Sequence, residues 1–224
     1  MTNILGIFAK LPQPGQVKTR LAAATSPAFA AEVADAMLRD TLDRLAGIDA
    51  ERWLVFAPTD ADAALTEIVS GRYQLTRQGD GDLGQRLQRF IQAKMRTGTE
   101  RIVVVGADSP TMPIDIVELA FRELASANVV VGPATDGGYY LIGCARRVPP
   151  IFTGIAWGTA TVLRDTMVRL DADARFALLP PWYDVDTLDD LRMLRGHLDA
   201  LARVGMDPAC PRTKRMSATL ESHQ

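Results

Sequence analysis

Three cations, Lys10, Lys18 and Arg20, fall within eleven residues, in a segment (Phe8–Leu21) that also holds Pro12, Pro14 and Gly15. Arg and Lys are the usual partners of phosphate, the first as a bidentate fork and the second as a point charge. Gly15 would let the backbone approach a ligand closely, and the prolines lower the entropy of holding the loop. Phosphate binding is one reading of this segment, and a solvated turn with ordinary surface charges is the other. A Walker A loop is excluded, because GxxxxGK[ST] is absent.

Four further motifs carry polar side chains at telling positions. In Gly79–Arg86 (GDGDLGQR), three glycines formally satisfy GxGxxG. The motif follows a third strand instead of a first, so it fits a dinucleotide fingerprint poorly. A plainer reading is a Gly-rich loop with Asp80 or Asp82 capping a helix and Arg86 facing the same crevice as the cations. Asp108, in GADSP, is expected at the top of a buried strand. One carboxylate plus substrate phosphates is a common way to hold Mg²⁺. Asp108 or Ser109 as the cap of the next helix is the competing reading. Asp136-Gly137-Gly138 is either a turn between two β runs or a backbone that lies against an acceptor, with Asp136 hydrogen-bonding it. In YDVDT, Asp184 and Asp186 point the same way in an extended chain, and two like carboxylates on one face repel unless a cation sits between them. Asp184 is the better metal candidate. Thr187, Asp189 and Asp190 have the pattern of a helix start.

The elements that must position these residues alternate. Strands are expected at Ile4–Ala9, Arg52–Ala57, Tyr73–Arg77, Arg101–Gly106, Asn128–Gly132, Gly138–Gly143 and Arg175–Leu179. Helices are expected from Ser26-Pro27 to about Ala46, then at Asp60–Ser70, Asp82–Arg96, Ile114–Ala125, Thr159–Leu170 and Thr187–Arg203. The unbroken RIVVVG run suits a strand covered on both faces. The βαβ alternation predicts an α/β fold with a mostly parallel sheet between helices. Residues 1–204 are expected to form one domain. Residues 205–224 are polar and aperiodic, and they read as a loose or partner-docked tail.

Composition narrows the chemistry. The chain has 224 residues, 47% hydrophobic and 23% charged, with a formal net charge of −2. No basic field exists to hold nucleic acid or an anionic membrane. No run is long enough to span a bilayer, and no cationic leader precedes the first apolar run. Cys144 and Cys210 lack a CxxC context, which suggests a reducing cytoplasm. With only His197 and His223, a Ser-His-Asp triad and histidine metal sites are poorly supported, and any metal should be a hard cation on carboxylates.

Taken together, FAKLPQPGQVKTRL, GDLGQRL, VGADSPTMP, ATDGGYYLIG and YDVDTLDDL resemble the DUF2064 family of bacterial transferases, GT-A-like members of the nucleotide-diphospho-sugar transferase superfamily. The resemblance covers roughly Ile4 to Leu194. More weakly, the motifs are similar to those of 2-phospholactate guanylyltransferases and molybdenum-cofactor nucleotidyltransferases.

The resemblance implies a three-layer α/β/α fold. It implies a nucleotide or nucleotide-sugar over the first loop, near Lys10, Pro14, Gly15, Lys18 and Arg20, with Asp82 and Arg86 beside it. It implies Mg²⁺ or Mn²⁺ on Asp108 with Asp184 or Asp186, and a small-molecule acceptor near Asp136, Gly137 and Gly138. Asp108, Asp136 and Lys18 are the catalytic candidates. The first loop lacks GxGxR, and Asp108 stands in ADS instead of DxD, so glycosyl and nucleotidyl transfer both stay open. A non-catalytic nucleotide-binding protein and an NAD(P) dehydrogenase are the other classes. A homodimer would be signalled by apolar residues exposed on a helix.

Overall fold

The computed structural model describes residues 2–219; Met1 and residues 220–224, including His223 and the end of the expected tail, lie outside the described residues. Seven strands form one sheet in the order β3-β2-β1-β4-β6-β5-β7. They are β1 (Asn3–Lys10), β2 (Glu51–Ala57), β3 (Gln74–Arg77), β4 (Arg101–Gly106), β5 (Val129–Pro133), β6 (Tyr139–Ala145) and β7 (Phe176–Leu178). β6 runs antiparallel to both its neighbours, β4 and β5, and the other pairs are parallel. The helices are α1 (Thr19–Ala24), α2 (Pro27–Leu45), α3 (Asp62–Val69), α4 (Leu83–Met95), α5 (Ile114–Glu123), α6 (Val162–Val168), α7 (Leu188–Arg203) and α8 (Pro211–Ala218).

The period of two along the central strands builds the layers. Leu5 and Ile7 of β1, with Val103 and Val105 of β4, enter one core with Leu38 and Leu42 of α2 and Val117 of α5. Ile4, Ile102 and Val104 enter a second core with Leu87, Phe90 and Ile91 of α4. β1 and β4 are therefore covered on both faces, and the result is the expected three-layer α/β fold. At Gly6 the second layer packs closely on the sheet, since a Cβ there would stand 2.6 Å from the Phe90 ring.

A third core differs from expectation. Phe29, Val33 and Met37 of α2 pack with Leu21 of α1, Leu191, Leu194 and Leu198 of α7, and Cys210 at the start of α8. The tail read as loose or partner-docked instead folds back within the chain. Asp40, fully buried, accepts from the Thr213 amide (2.7 Å) and from Arg212 Nη1 (2.9 Å), and so holds the first turn of α8 on α2. The physical reason is a long-range charge pair, which local patterning does not reveal. The short helix α1 was also not expected. No helix among the described residues is long and apolar enough to cross a membrane.

Candidate active site

The carboxyl ends of β1 and β4 and the start of β6 share one edge of the sheet, since Leu141 pairs with Val105. β1 sits where the connections diverge, to β2 on one side and β4 on the other, which is where open α/β sheets bind ligands. A cavity of about 560 Å³ opens there. Its lining brings together Lys10, Lys18, Arg86, Asp108, Asp184 and Asp186, which the sequence placed in four separate motifs.

Lys18 is the centre of the arrangement. It precedes α1 with φ 47° and ψ 46°, a left-handed conformation that costs a non-glycine residue roughly 1–2 kcal/mol. Its side chain is only 5% exposed, and its Nζ donates to Asp108 Oδ1 and to Asp186 Oδ1, the latter at 2.9 Å. Burial opposes the ammonium charge, yet the two carboxylates outweigh it and raise Lys18 above the usual lysine range. Burial likewise works to raise Asp186, but Lys18 and Arg20 overcome it and hold that carboxyl below its ordinary value. Arg20, 62% exposed, donates to Asp186 Oδ2. The lysine of the first loop thus lies between Asp186 and Asp108, and not between Asp184 and Asp186, the pair that the alternation singles out.

Asp184 sits in a different environment. It accepts from Ser109 Oγ, but burial, together with the charges of Asp108, Asp136 and Asp186, pushes its carboxyl up to about 6. The backbone of this segment is tied to the Asp108 loop by Val185 N donating to the Asp108 carbonyl at 2.9 Å. Asp184 and Asp186 both line the cavity, as the alternation predicts, while Val185 between them enters the third core.

The remaining expected residues are distributed as follows. Lys10 ends β1 at the cavity edge, exposed. Pro14 lines a separate shallow groove against α2 and α8. Gly15 has φ 79° with no atom within 4 Å of a Cβ position, so the turn uses its left-handed freedom and not close packing. Asp82 is the N-cap of α4, in a reciprocal capping box with Gln85; its carboxylate serves the helix. Arg86 donates to the carbonyl of Gly81 (2.9 Å) and to Gln78 Oε1 (3.1 Å). Asp136 lies outside the cavity lining, exposed, and accepts from the Gly138 amide at 2.9 Å. Gly137 packs on Ala160, whose carbonyl would stand 2.3 Å from a Cβ.

Two competing readings are corrected. Asp108 and Ser109 do not cap α5, whose N-cap is Pro113. Gly84 does not serve a pyrophosphate: a Cβ there would meet the Phe152 carbonyl at 2.2 Å and the Trp157 ring at 2.8 Å, so it is a packing glycine. Gln78 is a site residue the sequence did not mark. Buried, it donates to the carbonyls of Ala9 (3.1 Å) and Val55 (3.0 Å) while holding Arg86.

Among the described residues, no three carboxylate, imidazole or thiol groups converge as a ready metal-binding set. The donor set still suits a hard cation. Asp108 is 51% exposed at the cavity and, among the described residues, its carboxylate is bound through one oxygen, with Asp184 near enough for their charges to couple. Mg²⁺ and Mn²⁺ accept one or two carboxylates completed by phosphate and water oxygens.

The family model described as "Uncharacterized protein conserved in bacteria (DUF2064)" matches residues 41–159. No curated protein matches the chain. The crystal structure of a provisionally named nucleotide-diphospho-sugar transferase from Desulfovibrio desulfuricans G20 is similar over 100% of this chain and 99% of its own, with 30% identity and a TM-score of 0.89. A cytidylyltransferase from Leptospira borgpetersenii is similar over 99% of this chain and 96% of its own, with 14% identity and a TM-score of 0.55. A 4-diphosphocytidyl-2C-methyl-D-erythritol synthase from Anaerococcus prevotii is similar over 88% and 96%, with 11% identity and a TM-score of 0.59. The last two share the fold.

Proposed function

The chain belongs to the DUF2064 family, and on that premise we propose that it is a divalent-metal-dependent transferase with a nucleotide-diphosphate donor, in its leading form a nucleotide-sugar glycosyltransferase. The observation that carries this reading is the Lys18 ammonium between Asp108 and Asp186 in the cavity beyond β1 and β4. Cations and acidic oxygen donors meet there in a space sized for a small ligand.

In this reading Lys10, Lys18, Arg20 and Arg86 hold the donor phosphates. Asp108, with Asp184 or Asp186, would hold Mg²⁺ or Mn²⁺, and the bound ion would supply charge neutralisation toward the leaving diphosphate. Gln78 fixes Arg86 against the ends of β1 and β2, so its guanidinium needs little reorganisation when a ligand arrives. Asp136, Gly137 and Gly138 face the acceptor. Both oxygens of Asp186 are bound by cations, which leaves Asp136 as the base to test for an acceptor hydroxyl.

The fold shared with cytidylyltransferases supports a second reading, nucleotidyl transfer from an NTP to a phosphorylated small acceptor with release of pyrophosphate. A thermal-shift panel of NTPs, nucleotide-sugars and NAD(P), with and without Mg²⁺ or Mn²⁺, separates the classes. A ligand at ~100 times its Kd stabilises by about 2.7 kcal/mol. Metal-dependent shifts with nucleotide-sugars support glycosyl transfer, and preference for one NTP supports nucleotidyl transfer. Binding with no turnover against any acceptor supports a non-catalytic binder. Asp108→Asn is expected to abolish turnover and keep the fold; near-wild-type turnover with metal present would remove Asp108 from the metal site.

A further inference from the structure

Outside the ligand-facing residues, one hydrogen-bonded chain runs behind the site. The Tyr183 hydroxyl lies 2.7 Å from Thr111 Oγ1 and 2.7 Å from Nδ1 of His197 on α7. Thr111 is buried, in the loop that begins with Asp108. Tyr183 immediately precedes Asp184, and the alternation that sends Asp184 and Asp186 to the cavity sends Tyr183 the other way, against the third core. Trp182 stacks on Tyr183 with centroids 5.6 Å apart, and the His197 ring is 5.7 Å from that of Tyr183.

The two acidic segments therefore meet along three successive rungs. Asp108 is bound through its carbonyl to the Val185 amide, Ser109 through its hydroxyl to Asp184, and Thr111 through its hydroxyl to Tyr183. Arg44 braces the same loop from α2 by donating to the carbonyls of Pro110 and Met112. Of the three rungs, the Tyr183 one is anchored onward to α7 by its own side chain; next to the Val185 rung, α7 also holds the Asp186 amide through Asp190 at 3.0 Å. The Tyr183 rung also lies farthest from the cavity, so it can be altered without touching a ligand group.

We propose that Tyr183 and His197 are positioning residues: the shared hydroxyl holds the Asp108 loop and the Asp184–Asp186 segment in register, and α7 supplies the fixed point. The spacing of Asp108 and Asp186 around Lys18 follows from that register. The tie stands on the hydrogen bonds alone; its catalytic consequence rests on the transferase reading above.

The test uses the full chain carrying Tyr183→Phe, Thr111→Val or Thr111→Ser, with amide hydrogen exchange by mass spectrometry and steady-state kinetics. Loss of the rung is expected to raise exchange in residues 107–112 and 182–186 together by about tenfold, the scale of one lost hydrogen bond, with β1 and β2 unchanged. Thr111→Val removes the Thr111 bond alone and Tyr183→Phe removes the His197 bond as well, so Tyr183→Phe should raise exchange at least as much, and Thr111→Ser should restore wild-type exchange. Kinetically, kcat is expected to fall by about tenfold while the donor KM moves less than about threefold. Unchanged exchange in either segment overturns the tie. Raised exchange in both with unchanged kcat overturns the positioning role. A wild-type protein that neither binds nor turns over nucleotides would instead refute the transferase reading, and the exchange result would still decide the tie.

Discussion

Replacing Lys18 by Met keeps the length and apolar stem of the side chain and removes its charge. Two charge-assisted hydrogen bonds are lost, each worth about 1.5–3 kcal/mol when its partners stay buried. The structure argues for less. Asp108 is 51% exposed and regains water, and Asp186 keeps Arg20. Burying an ammonium itself costs several kcal/mol, which Met avoids. Lys18, at 5% exposure, carries that cost almost in full. The left-handed backbone is equally strained for either residue. A net loss of about 1–2 kcal/mol follows, which at roughly 2–4 °C per kcal/mol for a chain of this size lowers Tm by about 2–8 °C. Turnover should fall far more, by about 10²–10³, as for removal of a preorganised charge at a reacting centre. Differential scanning calorimetry and nucleotide-sugar turnover measured on the same preparation check both numbers. Wild-type turnover with a lowered Tm would mean that Lys18 is only a structural counterion. Lys18→Arg is not a rescue, because a planar fork does not fit a site this enclosed.

Asp82→Ala should cost about 1 kcal/mol through loss of the capping box and leave nucleotide affinity unchanged by titration calorimetry; a large loss of affinity would return Asp82 to the ligand. Partial burial works to raise Asp43, but hydrogen bonds from Arg212 and Arg72 outweigh it and hold the carboxyl below 3.8. Its contribution is therefore complete above the ordinary carboxylate pKa and is lost as pH falls through the lower folded value. Asp43→Asn should flatten the Tm–pH slope below about pH 4, and only modestly, since the group is partly exposed. Burial pushes the Cys144 thiol up to about 12 and the Cys210 thiol up to about 11. Both should resist iodoacetamide at pH 8 in the native protein and react after denaturation, read by intact mass.

What was legible in the sequence depended on range. The alternation in β1 and β4 predicts which side chains enter which layer because strand geometry alone decides it. The same rule puts Asp184 and Asp186 on one face. That a cation must lie between like carboxylates also follows from charge. The structure divides that pair: Lys18 binds Asp186, more than 160 residues away, together with Asp108, while Asp184 is met by Ser109, an arrangement that depends on the placement of the first loop beside β4, which only the sheet order supplies. Gln78 carried no signal, because one polar residue after a short strand is ordinary until two carbonyls and an arginine are found around it. α8 was missed because its docking rests on Asp40 and Arg212, not on an apolar stripe.

The charge inventory of the cavity leads to a coupling. Lys18 and Arg20 are already committed to Asp108 and Asp186. A nucleotide diphosphate that draws either cation toward its own oxygens leaves those carboxylates facing an anion, unless a second cation takes their charge. Nucleotide and divalent cation should therefore bind with positive coupling, and by linkage each must raise the affinity of the other by the same factor. A coupling of about 1–3 kcal/mol corresponds to roughly 5–150-fold. Titration of a nucleotide-sugar with and without Mn²⁺, and of Mn²⁺ with and without the nucleotide-sugar, measures both sides of the cycle. Asp108→Asn removes one of the stranded charges and should shrink the factor from both directions. Equal nucleotide affinity with and without cation would mean that the protein's own lysine and arginine meet the whole charge of the ligand, and the carboxylates would then be positioning groups for Lys18 and not metal ligands.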